Sequence, residues 1–141
     1  MTAKEYLNQL RKLMLKTNNK IRQCEDIREK VMFLQGIDYG RDKVQTSPQD
    51  QLSATMAILM DLEKETMGYI AEYTRMYDEA INRINQLSKR EYMIILQMRY
   101  LEEDPKKRKF ERIACEINYS YVRTCHMHGE ALHEFEKFMQ K

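Results

Sequence analysis

Four side chains of metal-binding type stand close together near one end of the chain: Cys125, His126, His128 and His133. A zinc site needs such groups to converge on one point at bonding distance. On a helix Cys125 and His128 share a face, but His126 points elsewhere. Cys115 joins them only if a second helix brings it close. The spacing matches no zinc pattern, so Cys125 and His128 read as core or rim side chains. No metal and no cofactor are expected. A catalytic set is missing too. Gly-rich phosphate loops do not occur, and the acidic residues are spaced as solvated helix faces. His133 and Glu134 are adjacent on a helix and so do not face each other. The chain does not read as an enzyme.

A different constellation runs from Phe110 to Ser120 (Phe-Glu-Arg-Ile-Ala-Cys-Glu-Ile-Asn-Tyr-Ser). A helix-turn-helix needs a short first helix with a small residue where the second helix crosses closely. Ala114 fills that place, and Ile113 and Ile117 supply the apolar contacts on either side. The turn needs a residue that tolerates positive φ. Glycine is usual, and Asn118 is the next best choice. Tyr119 is then the apolar turn residue, and Ser120 caps the second helix.

The elements that must hold this pair are helices. The chain has 141 residues but only 4 Gly and 2 Pro, the residues that interrupt helices. Residues 2–35 repeat apolar side chains in steps of three and four: Leu7, Leu10, Met14, Thr17, Ile21, Cys24, Ile27, Val31, Leu34. Thr2 and Glu5 form a capping box at the start, and Gly36 ends the helix. Residues 36–49 show no periodicity and read as a loop. From 50 to 87 the pattern resumes, through Leu52, Met56, Leu59, Leu62, Thr66, Ile70, Tyr73, Tyr77, Ala80, Ile84 and Leu87. Residues 1–35 hold eight basic and four acidic side chains, and residues 36–88 hold five and nine. These opposite balances fit an antiparallel, coiled-coil-like hairpin, or two chains pairing. Thr17 and Thr66 are polar points in its seam.

Ser88 and Glu91 form a second capping box, which opens a third helix over Lys89 to Leu101. Asp104 and Pro105 suit the N-cap and first position of a fourth, running to Ile117. The last helix follows Ser120 to the end. The expected fold is therefore all-α: a helical hairpin over 1–87, then a three-helix helix-turn-helix domain over 88–141. Three widely spaced cysteines give no disulfide framework. Neither a signal peptide nor a membrane-spanning apolar run is read. Reducing cytoplasm is the expected setting, with no membrane partner.

The run Ile113-Ala-x-x-Ile-x-Tyr-Ser120 resembles region 4 of bacterial sigma factors. The likeness extends back to Leu96-Gln-Met-Arg-Tyr100 and forward to His128-Gly-Glu-Ala-Leu132, covering about residues 88–135. From its opening Met1-Thr-Ala-Lys-Glu-Tyr-Leu7 onward, the whole chain is similar to small phage proteins in which a coiled hairpin precedes such a domain. Regulators of phage late transcription of the ArpU type are related in the same way. The resemblance implies a phage or prophage transcription regulator whose last helix enters the major groove of double-stranded DNA. Its early exposed residues, Ser120, Tyr121, Val122, Arg123 and His126, would face base edges. Arg123 alone among them can contact guanine bidentately. Lys106, Lys107, Arg108 and Lys109, with Lys89 and Arg90, would hold phosphates, which gives affinity without sequence information. Glu102 to Asp104 would repel phosphate. One such helix binds weakly, so a homodimer through the hairpin, or RNA polymerase, is the expected partner. The competing expectation is a non-enzymatic interaction protein that binds polymerase or another phage protein through the same fold.

Overall fold

The computed structural model describes residues 1–36 and 48–140. Among them are five α-helices and no strand. Helix α1 covers Ala3–Gln35, which makes it about 50 Å long. Its first turn is capped reciprocally. The Thr2 N–H donates to Glu5 Oε2 at 2.9 Å, and the Glu5 N–H donates to Thr2 Oγ1 at 3.2 Å. Its last carbonyls, on Met32 and Phe33, share the N–H of Gly36. Helix α2 covers Pro48–Ile84, and its opening proline is pre-set for a first helical position. Most of the segment expected as a loop, 36–49, lies outside the described residues.

The chain divides into two compact units, Met14–Tyr73 and Met1–Leu13 with Thr74–Lys141. These packing units cut across the division between helices drawn at 87/88. In the first unit α1 and α2 pair antiparallel. Lys16 lies over the Tyr69 ring at 4.9 Å, Lys20 meets Glu65 at 3.0 Å, and Arg28 meets Glu63 at 3.0 Å. Partner numbers fall as α1 numbers rise. Met14, Thr17, Cys24, Val31 and Thr66 are buried in this seam. Thr66 returns its hydroxyl proton to the Leu62 carbonyl at 2.7 Å, which leaves its oxygen to accept from the Cys24 thiol at 3.3 Å. Thr17 Oγ1 is buried without a hydrogen-bond partner.

In the second unit, Leu7 and Leu10 of α1 and Ala80 and Ile84 of α2 pack with three further helices. These are α3 (Arg90–Leu96), α4 (Phe110–Ile117) and α5 (Tyr121–Met139). Ile95, Leu96, Ile113, Met127, Ala131 and Phe135 complete the core and are essentially inaccessible. Burial of each large apolar side chain contributes roughly 1.5–3 kcal/mol, which offsets the entropy of ordering several short helices. Two boundaries differ from expectation. Ser88 does not cap α3, because both its N–H and its hydroxyl donate to the Glu134 carboxylate on α5. Lys89 takes the cap position with no side-chain bond. The third helix also changes character, since Gln97–Leu101 form a wider π turn. The fourth helix is shorter than expected. Asp104 caps only a 3-10 turn, Pro105–Arg108, and Lys109 is extended (φ −71°, ψ 141°) before α4 begins. The cause is a reciprocal clamp. Arg99 Nη1 donates to the Arg108 carbonyl and Arg108 Nε donates to the Arg99 carbonyl, both at 2.9 Å. Held against the π turn that follows α3, Arg108 cannot continue into α4.

Candidate nucleic-acid interface

Helix α4 ends at Asn118, the one non-glycine residue with positive φ among the described residues (φ 61°, ψ 42°). The left-handed conformation penalises a Cβ, and asparagine tolerates it better than most. Tyr119 then donates its N–H to the Ala114 carbonyl at 3.1 Å, closing the turn. Ser120 caps α5. Its Oγ accepts from the Arg123 N–H at 3.1 Å, and its carbonyl accepts from both the N–H and the hydroxyl of Thr124. The side chain sits at the start of α5, but its oxygen is already committed to the backbone.

The other side chains expected to face bases are presented to solvent. Tyr121 is 50% exposed and Val122 63%, and Arg123 and His126 are exposed as well. The core has no use for Tyr121 or Val122, since Thr124, Met127, Ala131 and Phe135 form the buried stripe of α5. Arg123 is not free, however. Its Nη1 meets Glu130 Oε1 at 3.3 Å, seven residues along the same helix. Glu130 is held in turn by the Tyr92 hydroxyl at 2.6 Å. That bond, with burial and the charge of Glu130 adding to it, pushes the Tyr92 phenol up to about 12; the same bond, against burial and helped by Arg123, lowers the Glu130 carboxyl. Lys89 lies over the Tyr92 ring at 5.3 Å, on the same cluster. Arg90, exposed, borders a shallow cleft lined by Glu91, Ile94, Glu116, Ile117 and Asn118, beside the turn itself.

The four-residue basic run divides by role. Lys106, Lys107 and Lys109 are exposed. Arg108 is half-buried and tied to Arg99 by the clamp described above. Sequence reasoning did not assign two further cations at this place, Arg99 and Arg11. Arg99 stacks on Phe110 at 4.3 Å, and Phe110 meets the Tyr121 ring edge-on at 6.5 Å. Arg11 reaches the Glu102 carbonyl with Nη1 at 3.4 Å. Burial, and then the neighbouring arginines, lower the pKa of both Arg11 and Arg108, although guanidinium stays charged. Three guanidiniums therefore sit together on main-chain carbonyls, linked through Phe110 to the first residue of α5. An Arg-Tyr pair ending a helix was the available signal for Arg99. Nothing in the local sequence signals Arg11, which comes from a helix that begins more than eighty residues earlier.

His128 belongs to the fold of this region. Its Nε2 lies 2.8 Å from the Tyr100 hydroxyl, and its ring packs on Tyr100 and, edge-on, on Phe110. Burial, with Arg99 and Lys4 nearby, lowers its pKa to about 4, so the ring is neutral at ordinary pH. No three His, Cys, Asp or Glu side chains come together to hold a metal ion among the described residues. No described helix is long and apolar enough to cross a membrane. No protein-family model, curated protein or solved structure matches the chain.

Proposed function

We propose that this chain is a DNA-binding transcription regulator of the kind phages encode, and that α4 and α5 act as a helix-turn-helix. The observation that carries the reading is the pairing of a left-handed Asn118 turn with a Ser120-capped helix. The first turns of that helix expose Tyr121, Val122, Arg123 and His126. Exposed apolar groups beside one arginine suit a major groove, where they meet thymine methyls while the arginine meets guanine. Lys106, Lys107 and Lys109 supply phosphate contacts next to α4, and Arg99 and Arg108 border the same edge.

One observation favours a second reading, an interaction protein with weak DNA contact. Arg123 is paired with Glu130, and Arg108 is committed to a backbone carbonyl. DNA must displace Glu130 before Arg123 can read a base. Selection of genomic DNA fragments on purified protein at two salt concentrations separates the readings. A specific regulator enriches a few fragments that survive the higher salt. Arg123→Ala then removes the sequence preference, while Lys106→Ala with Lys107→Ala weakens all fragments and flattens the salt slope by about 2. Uniform retention that vanishes with salt rejects the regulator and leaves the interaction protein.

A further inference from the structure

The two edges of the α1/α2 pair in the Met14–Tyr73 unit differ in what they leave uncovered. One edge is closed by Lys20 on Glu65 and by Lys16 and Lys20 on the Tyr69 ring. The other also carries an ion pair, Arg28 on Glu63, but it holds a groove of about 350 Å³ between the helices, lined by those two residues with Ile21, Cys24, Thr66, Met67 and Ile70. Along that edge α2 carries Met56, Met60, Met67 and Ile70 in steps of four, seven and three, which are heptad spacings. Their exposures are 42, 68, 70 and 40%, and Met32 of α1 is 70% exposed. At 100° per residue, this stripe lies about a quarter turn from the seam facing α1. A quarter turn is the offset at which a helix in a four-helix bundle meets its second neighbour.

We propose that a second copy of this chain covers this face, making a two-fold four-helix bundle in which α1 lies against α2 of the partner. Charge selects that occupant. Within this unit α1 holds five basic and three acidic residues, and α2 holds one and five. A two-fold parallel to the helices puts unlike helices side by side at both new contacts. It also pairs individual residues. Among the exposed charged residues of α1 are Glu25 and Glu29, and α2 exposes Lys64. None of the three has an ion-pair partner among the described residues. Cys24 of α1 already meets Thr66 of α2 within one chain. The two-fold keeps partner helices at the same height, so Glu25 and Glu29 come level with Lys64 of the partner subunit. The area is sufficient. Residues 48–73 of α2 span about 39 Å, and two helices are about 20 Å wide, so each copy offers about 780 Å². A stable interface uses about 800 Å² per partner. The pairing stands whether or not the C-terminal helices hold DNA.

Sedimentation of the full chain, without DNA, tests it. Wild type is expected at twice 17.1 kDa. Met67→Glu with Ile70→Glu is expected at the monomer mass with unchanged helical circular dichroism, because both side chains are already exposed in one chain. Lys64→Glu is expected to weaken dimerisation at least tenfold, and adding Glu25→Lys and Glu29→Lys is expected to restore it. A wild type that stays monomeric at every concentration overturns the proposal. So does an oligomer larger than a dimer, or a dimer indifferent to the Met67 and Ile70 changes. Failure of the charge swap to rescue Lys64→Glu overturns the α1-against-α2 arrangement.

Discussion

Acid should loosen the C-terminal helices through His128. The ring sits between Tyr100 and Phe110, and its Nε2 faces the Tyr100 hydroxyl at 2.8 Å. A neutral imidazole accepts the phenol proton there. A protonated one presents a second donor and brings a charge beside Arg99 and Lys4. The folded state therefore holds the pKa at about 4, against 6.5 for an unrestrained histidine. With the folded pKa depressed, the unfolded chain binds the extra proton first, so stability is lost as pH falls from 6.5 toward 4. The full span corresponds to about 3.4 kcal/mol at about 1.36 kcal/mol per unit. His128 is half-buried, and solvent screening reduces this to about 2 kcal/mol.

The assay compares thermal unfolding at about pH 7.5 and about pH 5, a range that avoids most carboxylate titration. Over that range the wild type should lose about 1 kcal/mol through this group, or about 4 °C in Tm. His128→Gln keeps an acceptor for Tyr100 but cannot titrate. It should lose stability at neutral pH and be flat where the wild type slopes. The two proteins differ at His128 alone, so the difference between their slopes reports that group. An equal acid slope in the two proteins, or an imidazole proton resonance of His128 that titrates near 6.5, would refute the reasoning.

Three further perturbations have definite expected outcomes. Thr17→Val should raise the urea midpoint, adding about 1 kcal/mol, because it removes a buried hydroxyl that has no partner at nearly constant volume; a lower midpoint would show that the hydroxyl is bonded after all. Asn118→Gly should stabilise by up to about 1 kcal/mol and Asn118→Ala should destabilise by about as much, as left-handed backbone requires, with chemical denaturation as the measure. Glu130→Gln should release Arg123 and tighten binding to the selected duplex several-fold in a fluorescence anisotropy titration, whereas unchanged affinity would mean the pair costs nothing to open.

Helix identity was legible because it depends on local signals. The Thr2–Glu5 box, Gly36 and the three-four apolar steps are each settled within a few residues. Asn118 was legible because few residue types tolerate its backbone angles. Misread positions depend on a distant partner. Ser88 has the spacing of a capping box with Glu91, but Glu134 lies 46 residues away and takes both its donors. Lys109 sits in a good helical sequence and is extended because Arg108 is clamped to Arg99. The packing units were illegible for a related reason. One unbroken stripe runs through α1, and no residue in it marks that Leu7 and Leu10 belong to the C-terminal core while Met14 belongs to the hairpin seam. The Arg123–Glu130 pair was within reach, since residues seven apart share a helix face, but a longer-range reader such as Tyr92 is what fixes the carboxylate in place.

The same carboxylates that tie α5 to the rest of its unit bear on how it would read DNA. Glu134 anchors Ser88 and Glu130 anchors Tyr92, so α5 is held to the start of α3 by two acidic side chains on its own surface. This fixes the helix, but it places negative charge about one to four turns from the residues proposed to face bases. A bound duplex must overcome that charge with Lys106, Lys107, Lys109 and the Arg99 edge. On the proposed reading only a few phosphates would be neutralised per chain, and the salt slope of one chain would be correspondingly shallow. Two copies joined through the hairpin double the number of phosphates held in a single complex, and the second contact becomes intramolecular. The Met67 and Ile70 variants that separate the copies should therefore reduce both the affinity and the salt slope for the selected fragment, and should reduce them together. If the slope per complex stays the same when the copies separate, a single chain makes all the phosphate contacts, and the pairing serves something other than DNA.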